Sequence, residues 1–224
     1  MLFARTITFS SASLLFLLPC VQVAAQTTSL EPAGDYAKID TRLAVEVMHV
    51  LAKGTQSQKR EAFERIISNS GNYAPPVFYA LSQAPFESGR KDEGAFWFYA
   101  GQLRARFDAN RCADVTARSA VNALNNIYGP PINQYMFQDI QKLEALIPKV
   151  VDWDRNTLHN YDPRWINLHS MNAMTSALSG KNGSVPPPSG MSLPKEQWET
   201  IAEKTRSDYL AGFQEAMASM KATR

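Results

Sequence analysis

Apolar residues recur at spacings of three and four along most of the chain after residue 35, whereas alternating strand-like patterns are scarce. The pattern is strongest in a segment that Asp92 is expected to cap and that runs to about Asn110. Five residues of this segment form a stripe that a helix would bury: Ala95, Phe96, Tyr99, Leu103 and Phe107. The periodicity predicts an all-α fold made of antiparallel helical hairpins.

Prolines, glycines and capping residues divide the remaining pattern into further helices. The expected helices run from Tyr36 to Lys53, from a Ser57 cap to Gly71, and from Pro75 to an interruption near Pro85. They continue from an Asp114 cap to Tyr128, from Ile132 to Asp154 with a kink or restart at Pro148, from Asp162 to Met174, and from Ser192 to about Lys221. Between two of them, Gly129 and its two following prolines predict a sharp break.

Residues 1–25 have the pattern of a secretory signal peptide, with Arg5 ahead of an apolar run from Leu14 to Leu18. Small residues at the end of this segment favour cleavage after Ala25. The alternative is lipidation of Cys20, although Pro19 stands where a lipoprotein signal usually has a small residue. The pattern predicts an exported protein, periplasmic or secreted.

Composition limits the partners that we expect. The chain has 23 basic and 21 acidic residues, and Arg5 is the only charge in the signal segment, so the remainder is nearly neutral. A nucleic-acid-binding domain is usually distinctly basic, so we expect no nucleic-acid partner. No later apolar run is long enough to span a bilayer, which predicts no membrane insertion of the mature chain. Cys112 would be the only thiol left, so no internal disulfide is expected.

The segment boundaries follow from these patterns. We expect a flexible leader over residues 26–35, a helical domain over 36–178, a Gly/Ser/Pro linker over 179–191 and a C-terminal helix over 192–224. The apolar face of the last helix, which includes Trp198, either docks on the same domain or grips a second molecule.

Four consecutive aromatic residues raise the question of a binding surface. Trp97 and Phe98 lie off the centre of the buried stripe, so their helix is either sandwiched in the core or presents a groove to a partner. Arg104 and Arg106 add positive charge beside them, as a solvated face or as an anion- or partner-binding patch. The predicted partner-binding residues are therefore Trp97, Phe98, Arg104, Arg106 and Trp198.

Acidic residues and histidines gather between residues 150 and 169, where Asp152, Asp154, His159, Asp162 and His169 occur. Such groups can bind zinc or act as a general base, which makes a metal-dependent hydrolase the alternative function. Their spacing matches no established metal motif, so capping and packing are the simpler interpretation. We expect no catalytic residue, metal or cofactor.

Residues 78–105 resemble one helix-turn-helix unit of the tetratricopeptide superfamily, particularly its Sel-like branch. The positions that match are Ala80, Leu81, Gly89, Asp92, Ala95, Trp97 and Tyr99. No second copy follows at a fixed period. The resemblance implies paired antiparallel helices, either tetratricopeptide-like or in an irregular bundle, and protein binding rather than catalysis.

Together, export, helical pairing and the lack of a catalytic motif predict an exported, soluble, non-catalytic module that binds another protein. A periplasmic immunity or adaptor protein is one form that such a module could take.

Overall fold

The computed structural model of the protein describes residues 31–179 and 190–222. Its helices are α1 (Arg42–Lys53), α2 (Gln56–Ser68), α3 (Pro75–Glu87), α4 (Lys91–Arg111), α5 (Ser119–Met136), α6 (Ile140–Asn156), α7 (Met171–Ser179) and α8 (Trp198–Ala222). Short 3₁₀ turns connect several of them, and these described ranges contain no β-strand. The predicted all-α fold is confirmed. The predicted signal peptide, the alternative lipidation site at Cys20 and most of the predicted linker lie outside the described residues.

Glycines bring α3 and α4 into close antiparallel contact. Gly89 takes a φ of +90° in the turn between them, a conformation that side chains with a Cβ rarely adopt. A Cβ on Gly94 would lie 2.7 Å from the carbonyl oxygen of Ser82, and one on Gly101 would lie 3.1 Å from Phe78. The two helix backbones can approach this closely because neither α4 glycine has a side chain.

α4 is the central helix, because other elements surround it on nearly every side. The Trp97 ring stacks on Phe78 with centroids 5.7 Å apart, and the Phe98 ring meets Tyr79 edge-on at 5.5 Å. Phe98 is completely buried, and only 8% of Trp97 is exposed. The core interpretation of the aromatic run is therefore confirmed, and the expectation that these two side chains line an open groove is wrong.

Prolines interrupt the helices less than the sequence suggests. α5 passes through Gly129, Pro130 and Pro131 without ending, so the predicted break is wrong. The second half of α5 is held by burial of Ile132 and by the hydrogen bond from the Tyr99 hydroxyl to Asn133. These contacts compensate for the backbone hydrogen bonds that two prolines remove.

Two other predicted ends of helices are also absent. α3 continues through Pro85, and α6 continues through Pro148 without the restart that was one of the two alternatives there. Capping differs at α2, where Thr55 rather than Ser57 forms a capping box with Gln58. At the start of the domain, a 3₁₀ turn precedes an α1 that begins only at Arg42.

α8 docks on the same domain, as one of the two expectations for its apolar face predicted. The Tyr209 hydroxyl donates a 2.8 Å hydrogen bond to Oε1 of Gln102 on α4. The Phe213 ring packs edge-on against Tyr99 at 5.4 Å. Within the described ranges, no helix is both long and apolar enough to cross a membrane.

Candidate binding cleft

A cleft of about 990 Å³ opens where the first turn of α8 faces the loop after α6. Its walls include His159, Pro163, Arg164, Ser192, Leu193 and Trp198. A smaller hollow of about 280 Å³ adjoins it and shares His159, Pro163 and Trp198. We call the two together the Trp198 cleft. The site thus combines Trp198, which was predicted to bind a partner, with His159, which belongs to the alternative metal-dependent hydrolase.

One wall of the cleft is an extended segment next to α4. Ser192 pairs with Cys112 in an isolated antiparallel bridge. The amide of Leu193 donates to the carbonyl oxygen of Arg111 at 2.8 Å, and the amide of Ala113 donates to the carbonyl oxygen of Met191 at 3.1 Å. In this pattern Ser192 occupies the non-hydrogen-bonded position, so its own N–H and C=O point away from Cys112.

Trp198 is held in place from both sides. Its indole Nε1 donates a 2.8 Å hydrogen bond to the carbonyl oxygen of Leu193, which ties α8 to the extended wall. The guanidinium of Arg111 lies over the indole ring at 4.5 Å, a cation–π geometry. The ring therefore has a fixed orientation in the cleft.

Beneath Trp198, a buried carboxylate holds Arg111. Asp108 accepts hydrogen bonds from Arg111 at 2.8 Å, from the Tyr161 hydroxyl at 3.0 Å and from the Trp165 indole at 2.6 Å. Burial raises the pKa of Asp108, although the Arg111 charge and these donors oppose the increase. Arg111 and Asp108 thus link α4 to the loop that carries His159.

A second buried carboxylate joins three helices beside the cleft. Asp154 on α6 accepts from Nε of Arg104 at 2.9 Å, from Nε of Arg206 at 2.8 Å and from Nε2 of His159 at 3.2 Å. Burial alone would raise the pKa of Asp154. The hydrogen bond from His159 and the two arginine charges outweigh burial and lower the pKa to about 2.

Arg104 is completely buried even though it carries a charge. Its Nη2 donates to the carbonyl oxygen of Thr157 at 2.8 Å, and its guanidinium lies 4.3 Å from the centre of the Trp153 ring. Within the described chain, Nη1 of Arg104 has no hydrogen-bond partner. The π face of Trp153 provides the attraction that a further acceptor would otherwise supply.

The predicted partner-binding residues fall in three different places. Trp198 lies in the cleft, whereas Arg106, on α4, is exposed in a separate hollow. The expectation of an accessible surface is wrong for Trp97, Phe98 and Arg104, because packing and the Asp154 ion pair bury them. A contribution of these three residues to binding stays a prediction. Because their side chains are buried, it would be indirect, through the position of the residues that they contact.

The structure brings together only part of the Asp/His cluster. His159 contacts Asp154, whereas His169 packs edge-on against the Trp165 ring at 5.9 Å. Asp162 caps the following 3₁₀ turn, as predicted, and pairs with Arg164 at 2.7 Å. Across residues 31–179 and 190–222, no group of three His, Cys, Asp or Glu side chains is placed to hold a metal ion.

Sequence reasoning missed the extended wall. Residues 190 and 191 were assigned to the linker, and residue 192 to the start of the last helix. The available signal was an apolar pair, Met191 and Leu193, on either side of one polar residue. Three residues are too few to predict a bridge whose partner lies 80 positions away.

No family model matches the chain, and no curated protein and no solved structure matches it either.

Proposed function

We propose that the protein is an exported, non-catalytic module that binds another protein by taking an extended segment of it into the Trp198 cleft. The observation that carries this proposal is the position of Ser192 in the wall of the cleft. Its backbone N–H and C=O face away from Cys112, so an incoming extended chain can pair with them as an additional strand. Such pairing needs no particular side-chain sequence in the partner.

The side chains of the cleft supply specificity. Trp198, Leu193 and Pro163 offer apolar surface, whereas Lys38, Arg164 and Lys195 contribute positive charge. Arg164 and Lys38 are already paired with Asp162 and Asp35, respectively. Lys195 lies beside the Trp198 ring at 5.8 Å. We therefore expect the bound segment to place an apolar side chain on Trp198 and an acidic one near Lys195.

Two features of the sequence support a partner-binding role in an exported protein. The first is the signal-peptide pattern of residues 1–25. The second is the resemblance of residues 78–105 to the tetratricopeptide superfamily, whose units commonly bind proteins. A periplasmic immunity or adaptor protein remains the specific form that we propose.

The alternative, a metal-dependent hydrolase centred on residues 152–169, has one supporting observation, the contact between His159 and Asp154. The Asp154 carboxylate is shared with two arginines, which fix it as a structural link rather than leave it free to bind a metal. His159→Ala distinguishes the two functions. Partner binding survives this substitution if the cleft acts through Trp198 and Ser192, whereas a hydrolase would lose its activity.

Site-specific photo-crosslinking in the producing cell tests the proposal. A photoreactive amino acid replaces Lys195, which lines the cleft, and in a second strain it replaces Gln214, an exposed residue of α8 away from the cleft. We expect one dominant protein adduct from position 195 and none from position 214. The adduct should weaken strongly when Trp198→Ala is added, with the helix content of the variant checked by circular dichroism.

The proposal fails if position 195 gives no protein adduct, or if both positions give the same adducts. It also fails if a folded Trp198→Ala variant crosslinks as well as the unsubstituted protein.

A further inference from the structure

A second concave site, between α4, the start of α5 and the middle of α8, shares no lining residue with the Trp198 cleft. It has a volume of about 370 Å³, and its lining includes Arg106 on α4, Arg118 and Asn122 beside the start of α5, and Asp208 and Tyr209 on α8. We call it the arginine pocket. Both arginine side chains are exposed, and within the described chain neither forms an ion pair.

Arg106 lies over an aromatic ring, that of Tyr209, which is itself held in place by hydrogen bonds. The Arg106 guanidinium lies over the Tyr209 ring at 5.4 Å. The ring itself cannot swing away, because the Tyr209 hydroxyl donates to Gln102 at 2.8 Å and lies 3.3 Å from the carbonyl oxygen of Tyr99. Stacking on a fixed ring orders the guanidinium before any ligand arrives, which lowers the entropy cost of binding.

The backbone that carries the other arginine is also well defined. Arg118 ends a 3₁₀ turn that begins after Asp114. The Asp114 carboxylate accepts from the backbone N–H of Thr116 at 3.0 Å and from its hydroxyl at 2.6 Å. The turn therefore presents Arg118 to the pocket from a fixed position.

The acidic residue of the pocket already has a cationic partner. Asp208 pairs with Lys204 one helical turn earlier, with its two carboxylate oxygens 2.9 and 2.8 Å from Nζ. With two arginines and one paired carboxylate in its lining, the pocket is net positive. Two guanidiniums that line one concavity attract an anion more strongly than two isolated surface arginines do.

We propose that the arginine pocket binds an oxyanion of the phosphate or carboxylate type. A guanidinium presents paired N–H donors whose spacing matches the oxygens of either group. The side-chain amide of Asn122 adds a further donor in the lining, and the volume admits a small anion with a short carbon chain. This site is independent of the Trp198 cleft, and neither proposal requires the other.

Calorimetric titration of the purified protein at low ionic strength tests the site with two probes, inorganic phosphate and succinate. We expect at least one probe to bind saturably at one site per chain. Arg106→Gln and Arg118→Gln should each weaken binding at least ~10-fold, because charge-assisted hydrogen bonds are lost. Tighter binding of phosphate or of succinate shows whether a phosphoryl or a carboxylate group is preferred.

Three further variants distinguish specific anion binding in the arginine pocket from nonspecific electrostatic attraction. Arg60→Gln removes an exposed arginine of α2 that is outside the pocket, and it should leave affinity unchanged. Arg106→Lys keeps the charge but loses the planar fork, so it should still weaken binding. Asp208→Asn removes the competing carboxylate and releases Lys204, so it should strengthen binding.

The proposal is overturned if neither probe binds saturably. It is also overturned if Arg60→Gln weakens binding as much as Arg118→Gln does, or if Arg106→Lys and Arg118→Gln, both with intact helix content, bind as the unsubstituted protein does.

Discussion

Replacing Asp154 by Asn should destabilise the protein strongly, because this α6 carboxylate is the common acceptor for Arg104 on α4 and Arg206 on α8. Asparagine keeps the shape of the side chain but removes the charge that compensates Arg104, which is 0% exposed. Arg206 keeps a second carboxylate, since Glu203 lies 2.6 Å from it. Arg104 keeps the Thr157 carbonyl oxygen and the ring faces of Trp153 and Phe78, but no carboxylate. The cost should therefore come mainly from Arg104.

The size of the destabilisation follows from the burial of Arg104. Removing one partner of a buried ion pair costs about 3–5 kcal/mol. For a chain of this size, each kcal/mol lowers Tm by about 2–4 °C, so the expected decrease is about 6–20 °C. Urea unfolding followed by circular dichroism at constant pH measures the free energy directly, provided that the slope with urea is unchanged.

Two comparisons make this test specific. Glu203→Gln removes a carboxylate that is 47% exposed, so it should cost less than ~1 kcal/mol. The double variant Arg104→Met with Asp154→Leu replaces the buried charges with apolar side chains, and it should be more stable than Asp154→Asn. A loss below ~1 kcal/mol for Asp154→Asn would refute the role that we assign to this carboxylate.

Three smaller predictions concern the pH dependence of the Asp154 interaction, two glycines and Tyr209. The folded-state pKa of Asp154 is about 2 against a usual 3.8, so the stability it provides is complete above the usual value and is lost as pH falls through the folded one. The stability difference between the protein and Asp154→Asn should shrink by about 2 kcal/mol from pH 5 to pH 2 in urea titrations, and a constant difference would contradict this. Gly94→Ala should destabilise the protein by ~2 kcal/mol or more, because its Cβ would lie 2.7 Å from the Ser82 carbonyl oxygen. Gly212 has open space around it, so Gly212→Ala should stabilise the protein by ~0.5–1 kcal/mol in the same unfolding assay. Tyr209→Phe should cost about 1–3 kcal/mol because it leaves a buried acceptor without its donor, and an unchanged Tm would exclude that.

Residue spacing predicted where most of the helices lie, because each buries a stripe that repeats along the chain. The exception is the helix predicted from Asp162 to Met174, which is a 3₁₀ turn over Pro163–His169 followed by α7. The stripe of α4 and the apolar face of α8 were both readable in this way, and both pack in the core. The predictions that prolines would end helices were less successful. At Pro130 and Pro131, tertiary contacts of Ile132 and Asn133 keep α5 helical, and such contacts are not visible in a local window of sequence.

The cleft was only partly predictable. Trp198 was predicted because it belongs to the apolar face of the last helix. The contacts that position the walls join residues far apart in the chain, such as Arg206 with Asp154 and Cys112 with Ser192. A single sequence contains no signal for such pairs. Arg104 was therefore assigned to the surface, although a charged residue can be buried when a distant carboxylate compensates it.

Hydrogen exchange at two neighbouring amides tests the proposed strand addition most directly. The peptide used is the partner segment identified by crosslinking at position 195. The Leu193 amide already donates to Arg111, so it should be protected with or without the peptide. The Ser192 amide faces away from Cys112, and its exchange should slow at least ~10-fold when the peptide binds. Binding of the peptide with no change at Ser192 would contradict the account.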